Sequence, residues 1–339
     1  MNISTDISLK QYTTMQVGGS ARFLTEATTA EEIPQIYHDA QSRQSPVFVL
    51  GGGSNVIAKD EGFEGVVLLN RIKGFEVVSE DERSVTLKIG AGETWDEVVA
   101  RTVDMGLSGI EAMSAIPGTA GAAPVQNVGA YGQEIADTLV EVEAYDSATN
   151  TMVVLPAEQC HFSYRHSIFR GSQMGRYCIT AITIRLSRRA PQPPFYAGLQ
   201  RYLDEHHITD YTPVAIRQAV IAIRHDKLPD PTVTPNSGSF FKNAMVSQET
   251  LDAIRQTHPD VPNYAMPDGT YKIPTGWLID QAGFRGKELH NMKIHDKNAL
   301  VLTNPHAATY HDLESARQAI IQTVYDQFHV RIEQEPLEL

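Results

Sequence analysis

Three consecutive glycines, Gly51, Gly52 and Gly53, lead into Ser54 and Asn55 directly after the apolar run Val47-Phe48-Val49-Leu50. Lacking Cβ atoms, such a run lets backbone N–H groups converge on a phosphate. It is not a G-x-G-x-x-G fingerprint and lacks the lysine of a P-loop, so a tight turn explains it equally well. A second stretch, residues 115–132, is built of small side chains with recurring glycine and proline: Pro117, Gly118, Thr119, Ala122, Asn127, Gly129, Ala130 and Tyr131 belong to it. No helical or strand period fits it. It suits close backbone approach to an extended cofactor, or else a buried packing loop. Together the two stretches favour an extended, phosphate-bearing cofactor more than either does alone.

Three further segments carry charge. Arg165 stands among aromatic and apolar neighbours in Tyr164-Arg165-His166-Ser167-Ile168-Phe169. A partly buried arginine there needs a carboxylate or phosphate partner, and a structural ion pair is the ordinary alternative. Arg224, Lys227 and Lys242 gather with Asn236, Ser237, Ser239 and Asn243 around Leu228-Pro229-Asp230-Pro231, a composition suited to an anion site on loops. Gly238-Ser239-Phe240 is no G-x-S-x-G elbow, so a serine hydrolase is not read. Near the end, Glu333 and Glu335 alternate on an expected strand and would share one face. Spacing does not choose between them. His206, His207, His290 and His295 sit in polar contexts and are expected to titrate in solvent.

The elements that must position these residues alternate helix and strand over 29–107. Thr29 with Glu32, and Thr94 with Glu97, read as capping boxes opening helices, the second closed by Gly106. Val66-Val67-Leu68-Leu69 and 84–89 read as strands, and 138–186 is strand-rich. The proline cluster 189–194 reads as a surface linker. A helix over about 212–226 must end before Pro229, a natural boundary. Leu313, Ala316, Ile320, Val324 and Phe328 form one apolar helix stripe behind a Thr309/Asp312 box.

A chain of 339 residues implies two or three domains. Lys+Arg 28 against Asp+Glu 41 leaves −13, which argues against a general nucleic-acid or anionic-membrane binder while leaving room for a locally basic pocket. Two cysteines, Cys160 and Cys178, make neither a disulfide framework nor a zinc site and read as reduced thiols; no metal site is expected. No leader-type apolar segment opens the chain, and its apolar runs fall far short of the ~20 residues a span needs. A soluble, cytoplasmic protein is expected.

In order and spacing, these segments, with Gly276-Trp277-Leu278-Ile279-Asp280-Gln281, resemble the UDP-N-acetylenolpyruvoylglucosamine reductases, flavoenzymes of peptidoglycan-precursor synthesis and so of cell-wall biogenesis, cell shape and division. The resemblance runs from about Thr14 to Glu335. It implies a mixed α+β and α/β chain: a vanillyl-alcohol-oxidase-type (PCMH-type) two-domain FAD-binding fold over 1–69 and 70–228, with the tail 330–339 returning to the second domain. A small α+β substrate-binding domain would cover 229–329. It implies tight, non-covalent FAD at Gly51, Gly52, Gly53, Ser54, Asn55, Pro117, Gly118, Thr119, Ala122, Asn127, Gly129, Ala130, Tyr131 and Arg224.

NADPH is the implied co-substrate and UDP-N-acetylglucosamine enolpyruvate the implied substrate, on a monomer. Flavin hydride would go to C3 and a proton from Ser239 to C2, with Arg165 and Glu335, the second glutamate, stabilising the enolate. Tyr196, Lys227, Asn243 and Asn298 fall where the family contacts the UDP diphosphate. Tyr196 marks the subtype with an extra loop, which recasts the proline cluster as the approach to a lid. The chain departs from the family pattern at Pro336-Leu337, at 289–293, at Asn298, and at Thr119 with Ala122-Ala123. Two competing classes are a sugar or alcohol oxidase of the same fold and a non-catalytic UDP-sugar binder. The first often tethers FAD through a His or Cys beside the glycine loops, absent here; the second needs no Ser239, Arg165 and Glu335 together.

Overall fold

The computed structural model describes residues 3–339, which form two compact units. The first comprises residues 3–7, Ala21–Gly52 and Glu64–Asp226; the second comprises Ser8–Ser20, Gly53–Phe63 and Lys227–Leu339.

The first unit holds two larger sheets. One has strand order Ser4–Ser8, Ser20–Ala27, Phe63–Asn70, Val47–Leu50, and its last two strands run parallel. Helix α1 (Ile33–Ser42) supplies the crossover into Val47–Leu50 and turns Ile33, Ile36 and Ala40 inward, as the spacing predicts. The Thr29/Glu32 box forms, Glu32 accepting from the Thr29 amide at 3.1 Å. The other sheet is antiparallel, ordered Thr151–Pro156, Leu139–Asp146, Tyr177–Ser187, Ser84–Gly90, Phe75–Glu80. Helix α2 (Trp95–Asp104) seats Trp95, Val98, Val99 and Val103 in that sheet's core. Its expected box is not made: Thr94 caps nothing with its side chain and instead bridges backbone to Thr119. Helices α3 (Ala197–Glu205) and α4 (Pro213–Lys227) share an apolar cluster of Leu199, Leu203, Ile216, Ala219, Val220 and Ile223.

The second unit builds its core around Phe240, Phe241 and the C-terminal helix, with α5 (Gln248–Thr257) and α6 (Thr275–Gln281) packed on it. Helix α7 (Tyr310–Phe328) buries the expected stripe, and its Thr309/Asp312 box forms. A four-stranded sheet runs Asn236–Ser239, Val301–Thr303, Met292–Ile294, Glu288–Leu289.

Two expectations about organisation differ from this structure. Residues 1–69 and 70–228 do not separate, because Tyr145 and Cys178 complete the same apolar cluster as Ile33, Ile36 and Leu68. The tail does not return to 70–228. Leu337–Glu338 pairs in parallel with Val56–Ile57, and the Lys59 amide donates to the Leu339 carbonyl at 2.9 Å, so the tail belongs to the second unit.

Candidate functional site: two loop systems

In the first unit the two small-residue stretches meet. A Cβ placed on Gly52 would lie 2.9 Å from the Gly118 Cα, and one on Gly51 would lie 2.4 Å from the Thr119 Oγ1. Both are closer than real side chains allow, so glycine is required by contact rather than by a turn alone. The Arg71 guanidinium donates to the Gly51 carbonyl at 3.0 Å and fixes the strand exit. Residues 120–126 are not irregular, as expected, but a 3₁₀ helix with Pro124 inside, pinned by Gly121 donating to the Ala91 carbonyl at 2.9 Å.

Asn127, expected at the cofactor, is 1% exposed in the left-handed region. Its amide donates to Glu134 and to the Ser163 carbonyl and accepts from Ala136, so it shapes the loop. Gly129–Ala130 pairs with Gln133–Glu134 in a short hairpin. Arg165 sits in a tight turn closed by the Ser163–His166 bridge, itself at φ 53°. It is half-buried, donates to the Gly129 carbonyl at 3.0 Å and lies 5.2 Å from the Tyr164 ring. The arginine thus points to the hairpin of the small-residue loop, a link that sequence spacing did not reveal.

Arg224, on the last turns of α4, hydrogen-bonds the Tyr131 hydroxyl, and its Nε donates to the Ala115 carbonyl at 3.3 Å. Burial weakens its hold on the proton, while Tyr131 and Asp96 oppose that effect. Tyr131 meets Tyr196 edge-on at 6.0 Å. Tyr196, 51% exposed, heads α3 at the end of the proline segment. A cavity of about 380 Å³ is lined by Glu111, Tyr131, Gln133, Pro194, Phe195 and Tyr196, among others.

In the second unit, Ser239 ends the strand Asn236–Ser239 opposite Val301. The pairing is irregular before it, at Gly238 with φ +72°. Asn236 makes that bend: its amide donates to the Pro229 and Thr234 carbonyls at 3.2 and 2.9 Å and accepts from the Gly238 amide at 2.9 Å. The C-terminal tail lies alongside: the Glu335 amide donates to the Phe240 carbonyl at 2.8 Å, and the Lys242 amide to the Glu333 carbonyl at 2.9 Å. Residues 330–335 are not the expected strand but a single bridge, Gln334 to Phe241. The two glutamates do not share an environment. Glu335 is 8% exposed beside the Ser239 segment, whereas the Glu333 side chain is 73% exposed and pairs with Lys242 at 3.2 Å.

Asn243 and Asn298 each spend a side-chain carbonyl locally, accepting from the Thr275 amide at 3.2 Å and the Leu300 amide at 3.1 Å. Lys227 is exposed. His295 is half-buried rather than solvated, and burial lowers its pKa.

Each unit, taken by itself, offers donors that suit a polar, phosphate-bearing group. In the first unit the Gly52 amide, and in the second the Gly53 amide, donates to no protein acceptor among the described residues. A Cβ on Gly53, at φ +66°, would stand 1.9 Å from the Tyr12 carbonyl oxygen. Beside that contact Thr13, Thr14 and Ser237 bury hydroxyls without a hydrogen-bond partner, and the Asn236 amide donates to the Thr14 carbonyl at 3.0 Å. Buried polar atoms left unpaired are costly and mark places where a ligand or ion completes the bonding. Among the described residues no cluster of metal-ligating side chains occurs, and no helix is long and apolar enough to cross a membrane.

Residues 21–155 match the model of an FAD binding domain, and residues 230–338 match the C-terminal domain of UDP-N-acetylenolpyruvoylglucosamine reductase. The reductase of that name from Burkholderia cenocepacia is 40% identical over 339 residues, covering 99% of this chain and 97% of that protein. The chain belongs to the UDP-N-acetylenolpyruvoylglucosamine reductase family. The Ralstonia nicotianae reductase is 42% identical over 97% of both chains. The crystal structure of the Thermus caldophilus reductase shares the fold, with TM-score 0.69 and 23% identity over 100% of this chain and 99% of that one. Membership in the reductase family makes the chain an FAD-dependent oxidoreductase, with the PCMH-type FAD-binding fold and the family's own C-terminal domain.

Proposed function

We propose that this chain reduces UDP-N-acetylglucosamine enolpyruvate to UDP-N-acetylmuramate with NADPH, in peptidoglycan-precursor synthesis. What supports this reading most directly is the bond from the Glu335 amide to the Phe240 carbonyl, which sets the buried Glu335 on the backbone next to Ser239. When bound, FAD supplies the hydride, taken from NADPH and passed to C3 of the enolpyruvyl group.

The protein's part is position and field. The glycine amides at 51–53 and the 117–122 loop would hold the FAD phosphates, with Ser54, Asn55, Ala130, Tyr131 and Arg224 completing the contacts. Tyr196, Lys227, Asn243 and Asn298 would take the UDP diphosphate. Arg165 opposes the negative charge that grows on the enolpyruvyl carboxylate, so it acts more strongly on the transition state than on the substrate. Ser239 delivers a proton from Oγ to C2. A serine hydroxyl is a weak acid, so this transfer requires a strongly basic enolate carbon and a cation to stabilise the alkoxide. Lys242, whose ammonium already pairs with Glu333 on an exposed edge, is a weaker candidate for that help than Arg165.

The test is a two-step absorbance assay. The purified protein should be yellow, bleach with NADPH under anaerobic conditions, and recolour on addition of the enolpyruvyl UDP-sugar. Bleaching without recolouring would leave a flavoprotein of another substrate; a colourless protein that takes up no FAD would remove the reading altogether.

A further inference from the structure

Ala115 has φ +56°, a conformation that favours glycine, and stands three residues before Gly118, where the second loop touches Gly52. Both sides of this residue are held from helices. The Asp96 carboxylate, on the first turn of α2, accepts from the Ala115 amide at 2.6 Å. Arg224, on α4, donates to the Ala115 carbonyl at 3.3 Å. Asp96 also pairs with both terminal nitrogens of Arg217 on α4, at 2.5 and 3.0 Å. An alanine in the left-handed region is disfavoured and persists only where its surroundings over-determine it.

The geometry points to Asp96 as a positioning residue: its carboxylate holds Ala115 left-handed and so aims the 115–122 loop at the cofactor phosphates. The inference rests on the reading that this loop holds FAD. The carboxyl is kept ionised for the task. Burial alone would raise its pKa, but the bonds from Arg217 and the Ala115 amide outweigh burial and lower it. The competing account is that Asp96 merely ties α2 to α4 through Arg217. The two accounts separate because the amide bond and the ion pair can be broken one at a time.

The experiment is titration of the flavin-stripped protein with FAD, read by quenching of flavin fluorescence, with melting temperature measured in parallel. Asp96→Ala should weaken FAD binding about 5–30-fold, the ~1–2 kcal/mol cost of a left-handed alanine converted at 1.4 kcal/mol per decade. Adding Ala115→Gly to it should restore most of the affinity, since glycine takes that conformation without help. Asp96→Asn keeps an acceptor for the amide and should bind FAD nearly as the unmodified protein does, with a lower melting temperature. Arg217→Ala should lower the melting temperature while changing the FAD Kd less than threefold, about 0.6 kcal/mol.

Asp96→Ala binding FAD as well as the unmodified protein, or a double variant no better than Asp96→Ala, overturns the inference. So does Arg217→Ala weakening FAD as much as Asp96→Ala. If Asp96→Ala does not fold, the double variant decides: a cooperative melt and FAD binding regained on adding Ala115→Gly support the inference, and a double variant that still does not fold overturns it. Failure of the unmodified protein to take up FAD overturns the cofactor reading of the loop itself, and is seen before any variant is compared.

Discussion

The Gly52–Gly118 contact and the Ser239–Glu335 segment pairing reach their shapes by opposite means. In the first unit, backbone meets backbone: glycines are demanded by contacts under 3 Å, and the polar side chains nearby, Asn127 and Asp96 among them, are spent on holding loops. In the second unit the side chains proposed to react are themselves what is positioned, and the positioning is done by chain pairing from a distant stretch, the tail 333–335 against 240–242. On the proposed reading the glycine loops bind without reacting, and Arg165 is the one residue of that unit assigned to the developing charge. The second unit offers a hydroxyl and a buried carboxylate on adjacent backbones. Substitutions in the two regions should therefore separate cofactor binding from chemistry.

The sharpest break is expected at Ser239. Ser239→Ala should slow reduction of the enolpyruvyl substrate by about 10²–10⁴-fold, the range for a lost general acid. Bleaching of the flavin by NADPH should stay near its original rate. Equal loss in both half-reactions would make Ser239 structural and erase the contrast between the units. Next is the glutamate pair. Glu335→Gln should lower kcat by about 10²–10³-fold if it acts on developing charge in the transition state. Glu333→Gln loses only an exposed ion pair, worth at most about 1 kcal/mol, and should leave kcat unchanged. Equal effects would mean that burial beside the Ser239 segment is not what distinguishes them.

In the first unit, Gly52→Ala should act on binding alone. Its Cβ would meet the Gly118 backbone, which cannot yield as a flexible side chain would. Strain of about 1–3 kcal/mol follows, read as weaker FAD binding by fluorescence titration. Saturating FAD should restore most of the turnover. If turnover stays low with FAD saturating, the loop does more than bind.

How far the sequence could be read follows the same division. The glycine loops were legible because a Cβ-free run after an apolar strand is a local signal. So were the helices with apolar stripes and, at Thr29 and Thr309, their boxes. At Thr94 no box forms; a distant loop residue, Thr119, bridges the backbone at the helix entrance instead. Glu335 could not be told from Glu333 by spacing, since what separates them is a tail that pairs with residues nearly a hundred positions earlier. Asn236 was read only as part of an anion site and Asp96 carried no motif; the bonds they make appear only when the carbonyls and amides they serve are brought to them by the fold.

The last effect is expected in stability, at the tail's own anchor. Glu338 accepts from Tyr310 at 3.1 Å, pairs with Arg317 on α7 and lies 3.5 Å from Lys59. Burial alone would raise its carboxyl; Arg317 and Tyr310 outweigh that and hold it below the ordinary range. A carboxyl lowered in the folded state stabilises fully above the unfolded glutamate pKa of about 4.3 and loses that contribution as pH falls through its folded value. Glu338→Gln should therefore cost about 1.5–3 kcal/mol at pH 7, the range for hydrogen bonds to a charged group, and progressively less in melting curves below pH 4. A gap between the two proteins that stays constant to pH 3 would show that the carboxylate charge is not what clamps the tail. A matching fall in kcat at pH 7, with FAD binding untouched, would show that the clamp reaches Glu335, three residues away, and that the second unit's chemistry depends on its terminus while the first unit's binding does not.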